Sequence, residues 1–228
     1  MAETLLSAEA VSRVFATGAG EVHALTDVSM TVTKGELVVV RGPSGSGKTT
    51  LLNLLGGLDR PTRGRVLLGD GRELSALPEK EVLAVRRSRI GYVFQSFGLI
   101  PVLSAEENVE IPLRLLETDP AERQARVTAA LELVGLAGHA RQRPYELSGG
   151  QQQRVGIARA LVAEPDILIA DEPTGQLDSA TAATIMDLIS ELTHARGLAA
   201  VVSTHDPVLM ARADRVVELH DGALLTPA

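Results

Sequence analysis

The 228-residue chain predicts an α/β protein built on a mostly parallel sheet. Three observations carry that expectation. Short apolar runs at 37–40, 167–170 and 198–203 have the texture of strands buried on both faces. Helical spacing returns between them, as in folds where helices cover both sides of a sheet. A glycine-rich segment, 42–49, joins the first such strand to a helix, which places a ligand-binding loop at the carboxyl edge of the sheet.

Taken in order, the first forty residues predict strands. Val28, Met30 and Val32 alternate with Ser29, Thr31 and Thr33, the period of a half-buried strand. Lys34 and Gly35 form a turn before the buried run at 37–40. A helix is expected over Lys48–Leu55, and a short strand over 90–94. From Ser96 to Leu147 the pattern turns helical, with Val127, Ala130, Leu131 and Val134 on one face, and predicts an inserted helical subdomain. A further helix is expected from near Gly149, and a buried strand at 167–170 ending in Asp171 and Glu172. A helix over 179–195, the strand at 198–203, and short strands at 216–219 and 223–225 complete the chain.

Composition narrows the class. Net charge is −7 and aromatic residues make up 2%, so neither a basic patch nor a base-stacking platform for nucleic acid is expected. The chain has no cysteine, which excludes disulfides and thiolate metal sites. No run of eighteen apolar residues occurs, and the first seven residues lack the basic and apolar regions of a secretory signal, so the expected location is cytosolic.

Gly42-Pro43-Ser44-Gly45-Ser46-Gly47-Lys48-Thr49 fits the G-x-x-x-x-G-K-[ST] phosphate-binding pattern in full. Glycines let the backbone wrap phosphate oxygens. Lys48 is expected at the β- and γ-phosphates, the Thr49 hydroxyl at Mg²⁺, and Thr50 on the same helical turn. Asp171 at a buried strand end can hold a metal-bound water, and Glu172 can orient or deprotonate an attacking water. Leu147-Ser148-Gly149-Gly150-Gln151 is a second glycine-rich helix start, hence a second anion site, yet without a lysine.

With that pentapeptide in place, the chain resembles the nucleotide-binding subunit of ATP-binding-cassette (ABC) transporters over its whole length. The resemblance implies a P-loop ATPase core at 1–95 and 148–228 with an N-terminal antiparallel β subdomain, and a helical subdomain at 96–147. It implies that Gln95 touches Mg²⁺ and the attacking water, that Glu172 is the general base, and that His205 contacts the γ-phosphate. Asp178 would face the opposite subunit, though it also suits a helix N-cap. Phe15 would stack on adenine, where a plain packing role is the alternative. Ser148, Gly149, Gly150 and Gln151 would cap nucleotide held by the other subunit, so each chain carries two half-sites. Gln176 stands where relatives usually carry asparagine.

The segments 57–64, 97–109 and 170–175 resemble the macrolide-exporter, lipoprotein-releasing and cell-division group. The implied cofactors are ATP and Mg²⁺. The implied partners are a second ATPase subunit and a membrane permease docked through 96–147, with Leu99, Ile100, Pro101, Val102 and Leu103 as contacts. That puts the chain peripherally on the cytoplasmic face of the inner membrane. A soluble non-transport ABC ATPase, or an ATP-binding regulatory subunit, is the alternative. The lack of long heptads, the single cassette, and intact Glu172 and His205 weigh against it.

Overall fold

A computed structural model describes residues 3–18 and 20–225. β1 (Thr4–Thr17) lies between β2 (Gly20–Thr33) and β4 (Arg63–Leu68) in an antiparallel three-stranded sheet. β2 shows the expected alternation: Val28, Met30 and Val32 are buried, while Ser29 and Thr31 are exposed. β1 alternates less cleanly. Its register shifts between Ala8 and Val11, and Ala10 there takes φ 49°. Such a bulge bends a strand and interrupts its two-residue period.

The second sheet has six strands in the order β5-β6-β7-β3-β8-β9. They are β3 (Leu37–Arg41), β5 (Ile90–Val93), β6 (Ile167–Asp171), β7 (Ala199–Ser203), β8 (Arg215–His220) and β9 (Ala223–Leu224). All pairings are parallel except β8 with β9. The apolar runs are buried on both faces, as expected. Leu37, Val39, Leu168 and Ala170 face one core cluster, while Val38, Val40, Ile167 and Ile169 face the other. That second cluster joins the parallel sheet to the antiparallel one through α1 (Lys48–Leu55), whose Leu51 and Leu52 are fully buried. Each such side chain contributes about 1.5–3 kcal/mol of transfer free energy.

Helices α3 (Ala105–Leu115), α4 (Pro120–Leu133) and α5 (Gly149–Leu161) pack on one another. Their starts are set locally. Ser104 and Glu107 form a reciprocal capping box, and Asp119 caps α4 ahead of Pro120. α6 (Ser179–Arg196) ends at Gly197 in the left-handed conformation. α7 (Pro207–Met210) is a single turn. The segment 56–89, which has no element in the sequence reading, holds β4 and α2 (Glu79–Arg89). α2 buries only Val82 and Val85, so it lacks a continuous apolar stripe.

Parallel register then decides where the site lies. Val40 stands opposite Ser203, Asp171 opposite Ser203, and Val93 opposite Ala170. The carboxyl ends of β3, β5, β6 and β7 therefore open on one edge. Among the described residues, no helix is long and apolar enough to cross a membrane.

Candidate active site

A cleft of about 650 Å³ lies at that edge. Its walls include Gly42, Pro43, Ser44, Gly45, Gly47, Lys48, Thr49 and Thr50 from the loop, together with Gln95, Glu172 and His205. Four segments far apart in sequence thus supply one cavity. Val22, His23 and Ala24 also line it, and nothing in the sequence reading points to them; Gly175, from the segment 170–175, lines it too. Ser46, within the loop, is buried, and its Oγ has no hydrogen-bond partner.

Two of the glycines answer to the chain itself. A Cβ on Gly47, at φ 102°, would lie 2.4 Å from the Ala24 carbonyl oxygen. One on Gly42 would lie 2.1 Å from that of Leu219. The loop is wedged between β2 and β8, so glycine is needed there before any phosphate arrives.

Lys48 Nζ donates to the carbonyl oxygens of Gly42 (2.8 Å) and Pro43 (3.1 Å), and lies 3.6 Å from Glu172 Oε1. Glu172 Oε2 is 3.0 Å from His205 Nδ1. Glu172 has φ 44°, a sparsely populated conformation for a residue with a side chain. Ser203 holds it there. Its Oγ accepts from Glu172 N–H at 2.7 Å and donates to Asp171 Oδ1 at 2.7 Å. Asp171 is buried behind the cleft rather than lining it. Its charge, after burial itself, pushes the Tyr92 phenol above its usual range. The Tyr92 hydroxyl donates to Asn53 of α1.

The glycine-rich pentapeptide lies outside this cleft. Ser148 is the N-cap of α5: its Oγ accepts from Gln151 N–H, and Gln151 Oε1 accepts from Ser148 N–H. Behind Gln151, its side-chain nitrogen lies 3.3 Å from His139 Nε2, whose Nδ1 is 2.6 Å from Gln142 Oε1. Ser148 is exposed, and Gly149 and Gly150 are half-buried. A Cβ on Gly149 would approach the Gln176 carbonyl oxygen and Leu177, and one on Gly150 would meet Thr181 Cγ2 at 2.6 Å. The segment around Asp178 is therefore the neighbour of 148–151, forming a second group apart from the cleft. Asp178 caps α6 by accepting from Ala180 and Thr181 N–H, and hydrogen bonds from Thr181 hold its carboxyl below the usual range.

Phe15 does not line the cleft, but its cross-strand partner Val22 does. The Phe15 ring is half-exposed, with the Arg13 guanidinium 4.3 Å from its centre.

The family model described as ABC transporter matches residues 25–175. The chain belongs to that family. The cassette is 48% identical over 204 residues to the ABC transporter ATP-binding protein YtrE of Bacillus subtilis, covering 90% of this chain and 88% of that protein. It is 43% identical over 226 residues to the macrolide export ATP-binding/permease protein MacB of Hyphomonas neptunium. There the match covers 99% of this chain and 35% of MacB, so the cassette spans about a third of that relative. A dimeric ATP-binding cassette solved in a post-hydrolysis state with ADP and Pi superposes with a TM-score of 0.91. The two are 41% identical, and the match covers 97% of both chains.

A second cavity of the cassette, about 560 Å³, is an apolar groove. Its walls come as much from the sheet side (Leu58, Leu83, Tyr92, Phe94) as from the helical segment (Ile100, Leu115). Of the apolar residues expected as contacts, only Ile100 lines it. Leu99 packs against the core, and Val102 is 73% exposed elsewhere. Ser203, His139 and Arg159 are the site-supporting residues missing from the sequence reading. Only the strand register could have pointed to Ser203; no local pattern marks the other two.

Proposed function

We propose that the cassette hydrolyses ATP in a head-to-tail pair, docked through its apolar groove on a membrane permease at the cytoplasmic face of the inner membrane. One observation carries this reading: the family's expected residues fall into two separate groups. One group lines the cleft. The other, Ser148, Gly149, Gly150 and Asp178, lies at two helix starts outside it. Two copies arranged head to tail would bring each helix start to the other's cleft, so two anion sites with one lysine become two shared sites. The solved cassette with ADP and Pi is dimeric, which supports the arrangement. Relatives named export ATP-binding/permease proteins carry both activities in one chain, which supports a permease partner here.

Phosphoryl transfer asks mainly for charge neutralisation and positioning. Lys48 Nζ now shares two carbonyls, and a β/γ-phosphate is the better acceptor. Glu172 takes a proton from water at Oε1 or Oε2, with His205 at 3.0 Å to reach the γ-phosphate; the 71% exposure of the His205 side chain leaves it free to do so. The Thr49 hydroxyl and Gln95 amide, with Asp171 buried behind, are oxygen donors suited to Mg²⁺. Hydroxyl and amide oxygens are hard donors, few in number here, and fit an ion that takes its remaining ligands from phosphate and water. When bound, Mg²⁺ would neutralise phosphate charge.

Glu172→Gln tests the reading. In ATP and Mg²⁺ the variant should accumulate as a dimer on size exclusion and release phosphate at background rate. A monomeric profile, or turnover equal to wild type, would reject it.

A further inference from the structure

The start of α5 is held by a chain of hydrogen bonds whose direction follows from one end to the other. Ser148 N–H donates to Gln151 Oε1 at 2.8 Å. That contact fixes which way the Gln151 carboxamide faces, because its amino group in the same place would set donor against donor. The amino group therefore points at His139 Nε2, 3.3 Å away, and donates to it. A ring nitrogen that accepts carries no proton, so the imidazole proton sits on Nδ1 and is donated to Gln142 Oε1 at 2.6 Å. His139, Gln142 and Gln151 are all half-buried. The same segment also starts a second helix: the Gln142 and Ala140 carbonyl oxygens accept from the Ala105 and Glu106 N–H groups in the first turn of α3.

Among the described residues, His23, His194, His205 and His220 each face a carboxylate, whereas His139 lies between two carboxamides. Its own segment carries Arg141 and Arg143, both exposed, and α5 carries Arg154 one turn beyond Gln151. Of the acids on the surrounding elements, Glu107 accepts from Ser104 N–H and Glu146 from Arg143 N–H. Glu106 in the first turn of α3 and Glu132 near the end of α4 complete the charged groups. Imidazole changes charge between about pH 5 and 8. A proton on His139 Nε2 would turn that atom from acceptor to donor and set it against the Gln151 amino group. Turning the carboxamide over restores the bond to His139 but presents the amino group to Ser148 N–H. The single carboxamide oxygen cannot face both.

We propose that His139 is a positioning residue for the shared ATP site: with Nδ1 protonated and Nε2 bare it holds Gln151 in the orientation that caps Ser148, and a proton on Nε2 reverses the carboxamide, opens the start of α5 and slows turnover. The proposal rests on the head-to-tail reading above; that reading fails on the Glu172→Gln elution profile, this one on the His139 tautomer and the Ser148 amide. His139 touches no nucleotide in this scheme and acts only through Gln151 and Ser148.

Two measurements on the full chain test it. Imidazole nitrogen NMR shifts near about pH 8 should show His139 as the Nδ1–H tautomer, and the Ser148 amide resonance should move with His139 as pH falls to about 5. Phosphate release in ATP and Mg²⁺ is then followed over the same range. His139→Ala, with no acceptor for Gln151, should lose kcat at every pH. His139→Gln offers an acceptor that takes no proton, and should restore kcat near about pH 8 to within about twofold of wild type. Towards about pH 5, kcat of His139→Gln over that of wild type should rise about fivefold, the size of one lost helix cap, with KM steady. That ratio cancels the titration of Glu172 and His205, which both proteins share. Gln142→Glu sets a carboxylate against Nδ1, favours the charged ring, and should move the midpoint of the Ser148 amide up by about one pH unit. An Nε2–H tautomer near about pH 8, or a Ser148 amide that ignores the titration of His139, would overturn the proposal while leaving the head-to-tail pair standing. So would a flat ratio of the two kcat values, or an unmoved midpoint in Gln142→Glu. Should His139→Gln fail to fold, the tautomer, the Ser148 amide and Gln142→Glu decide alone.

Discussion

Ser203→Ala removes one oxygen that serves two masters. Ser203 is fully buried; its Oγ donates to the Asp171 carboxylate and accepts from the Glu172 amide, each at 2.7 Å. A hydrogen bond to a charged acceptor is worth about 1.5–3 kcal/mol, and a buried N–H left unpaired costs about 1–3 kcal/mol. Allowing for relaxation, the loss of stability should be about 3 kcal/mol, a large share of the ~5–15 kcal/mol typical of a domain. The same amide bond holds Glu172 at φ 44°, so its carboxylate should shift when the bond goes. A displacement near 1 Å costs roughly a hundredfold in rate. Urea unfolding monitored by circular dichroism measures the first effect. Steady-state phosphate release at saturating ATP and Mg²⁺ measures the second, which should appear in kcat with KM little changed. Ser203→Cys, which keeps a weak donor, should fall between wild type and alanine on both scales. A stability loss below about 1 kcal/mol with kcat within twofold of wild type would refute the reasoning. A full stability loss with unchanged kcat would leave Ser203 a purely structural bridge.

Three further outcomes are expected. Ser148→Arg should leave nucleotide affinity within about twofold while abolishing turnover, because Ser148 lies outside its own cleft; titration with a fluorescent ATP analogue alongside phosphate release checks it, and lost binding would place Ser148 in the cis site. Gly150→Ala should cost about 1–2 kcal/mol, since the new methyl meets Thr181 Cγ2 at 2.6 Å, and adding Thr181→Ser should recover most of that in thermal melts. Asp70→Asn probes pH dependence. The Arg72 side chain, donating to the Asp70 carboxylate, lowers its pKa to about 2, with Arg89 also close by. A lowered folded-state pKa gives stability that is present above the unfolded value near 4 and is lost as pH falls through about 2. The Asp70 side chain is 38% exposed, so screening limits the contribution to about 1 kcal/mol. The wild-type advantage over Asp70→Asn in urea melts should therefore hold from pH 7 to about 4 and vanish near pH 2.

The elements that the sequence predicts well are those whose environment is the same on every side or repeats with one period. β3 and β6 are covered on both faces, so continuous apolar runs mark them. α1 starts where the glycine loop ends, and its start is written locally. By contrast, β1, although it falls in the stretch that predicts strands, serves two neighbours and is bulged, so its inward residues lack the clean two-residue period that marks β2. α2 touches the core through Val82 and Val85 alone, with Leu83 turned to the groove, and its charges hide it. The same division runs through the site. The phosphate loop is legible because backbone conformation and lysine lie within eight consecutive residues. Ser203 is 31 residues from Glu172, and only the parallel pairing of β6 with β7 brings its hydroxyl beneath that amide. Arg159, which donates to the Gly98 carbonyl oxygen, is 61 residues from it, on a helix that approaches the Gln95 turn through the absence of side chains: a Cβ on Gly156 would already stand 3.3 Å from the Phe97 carbonyl oxygen. What a motif states locally is which groups can meet a phosphate. What holds those groups at working geometry is supplied by residues whose only sequence signature is a distance along the chain that the fold closes.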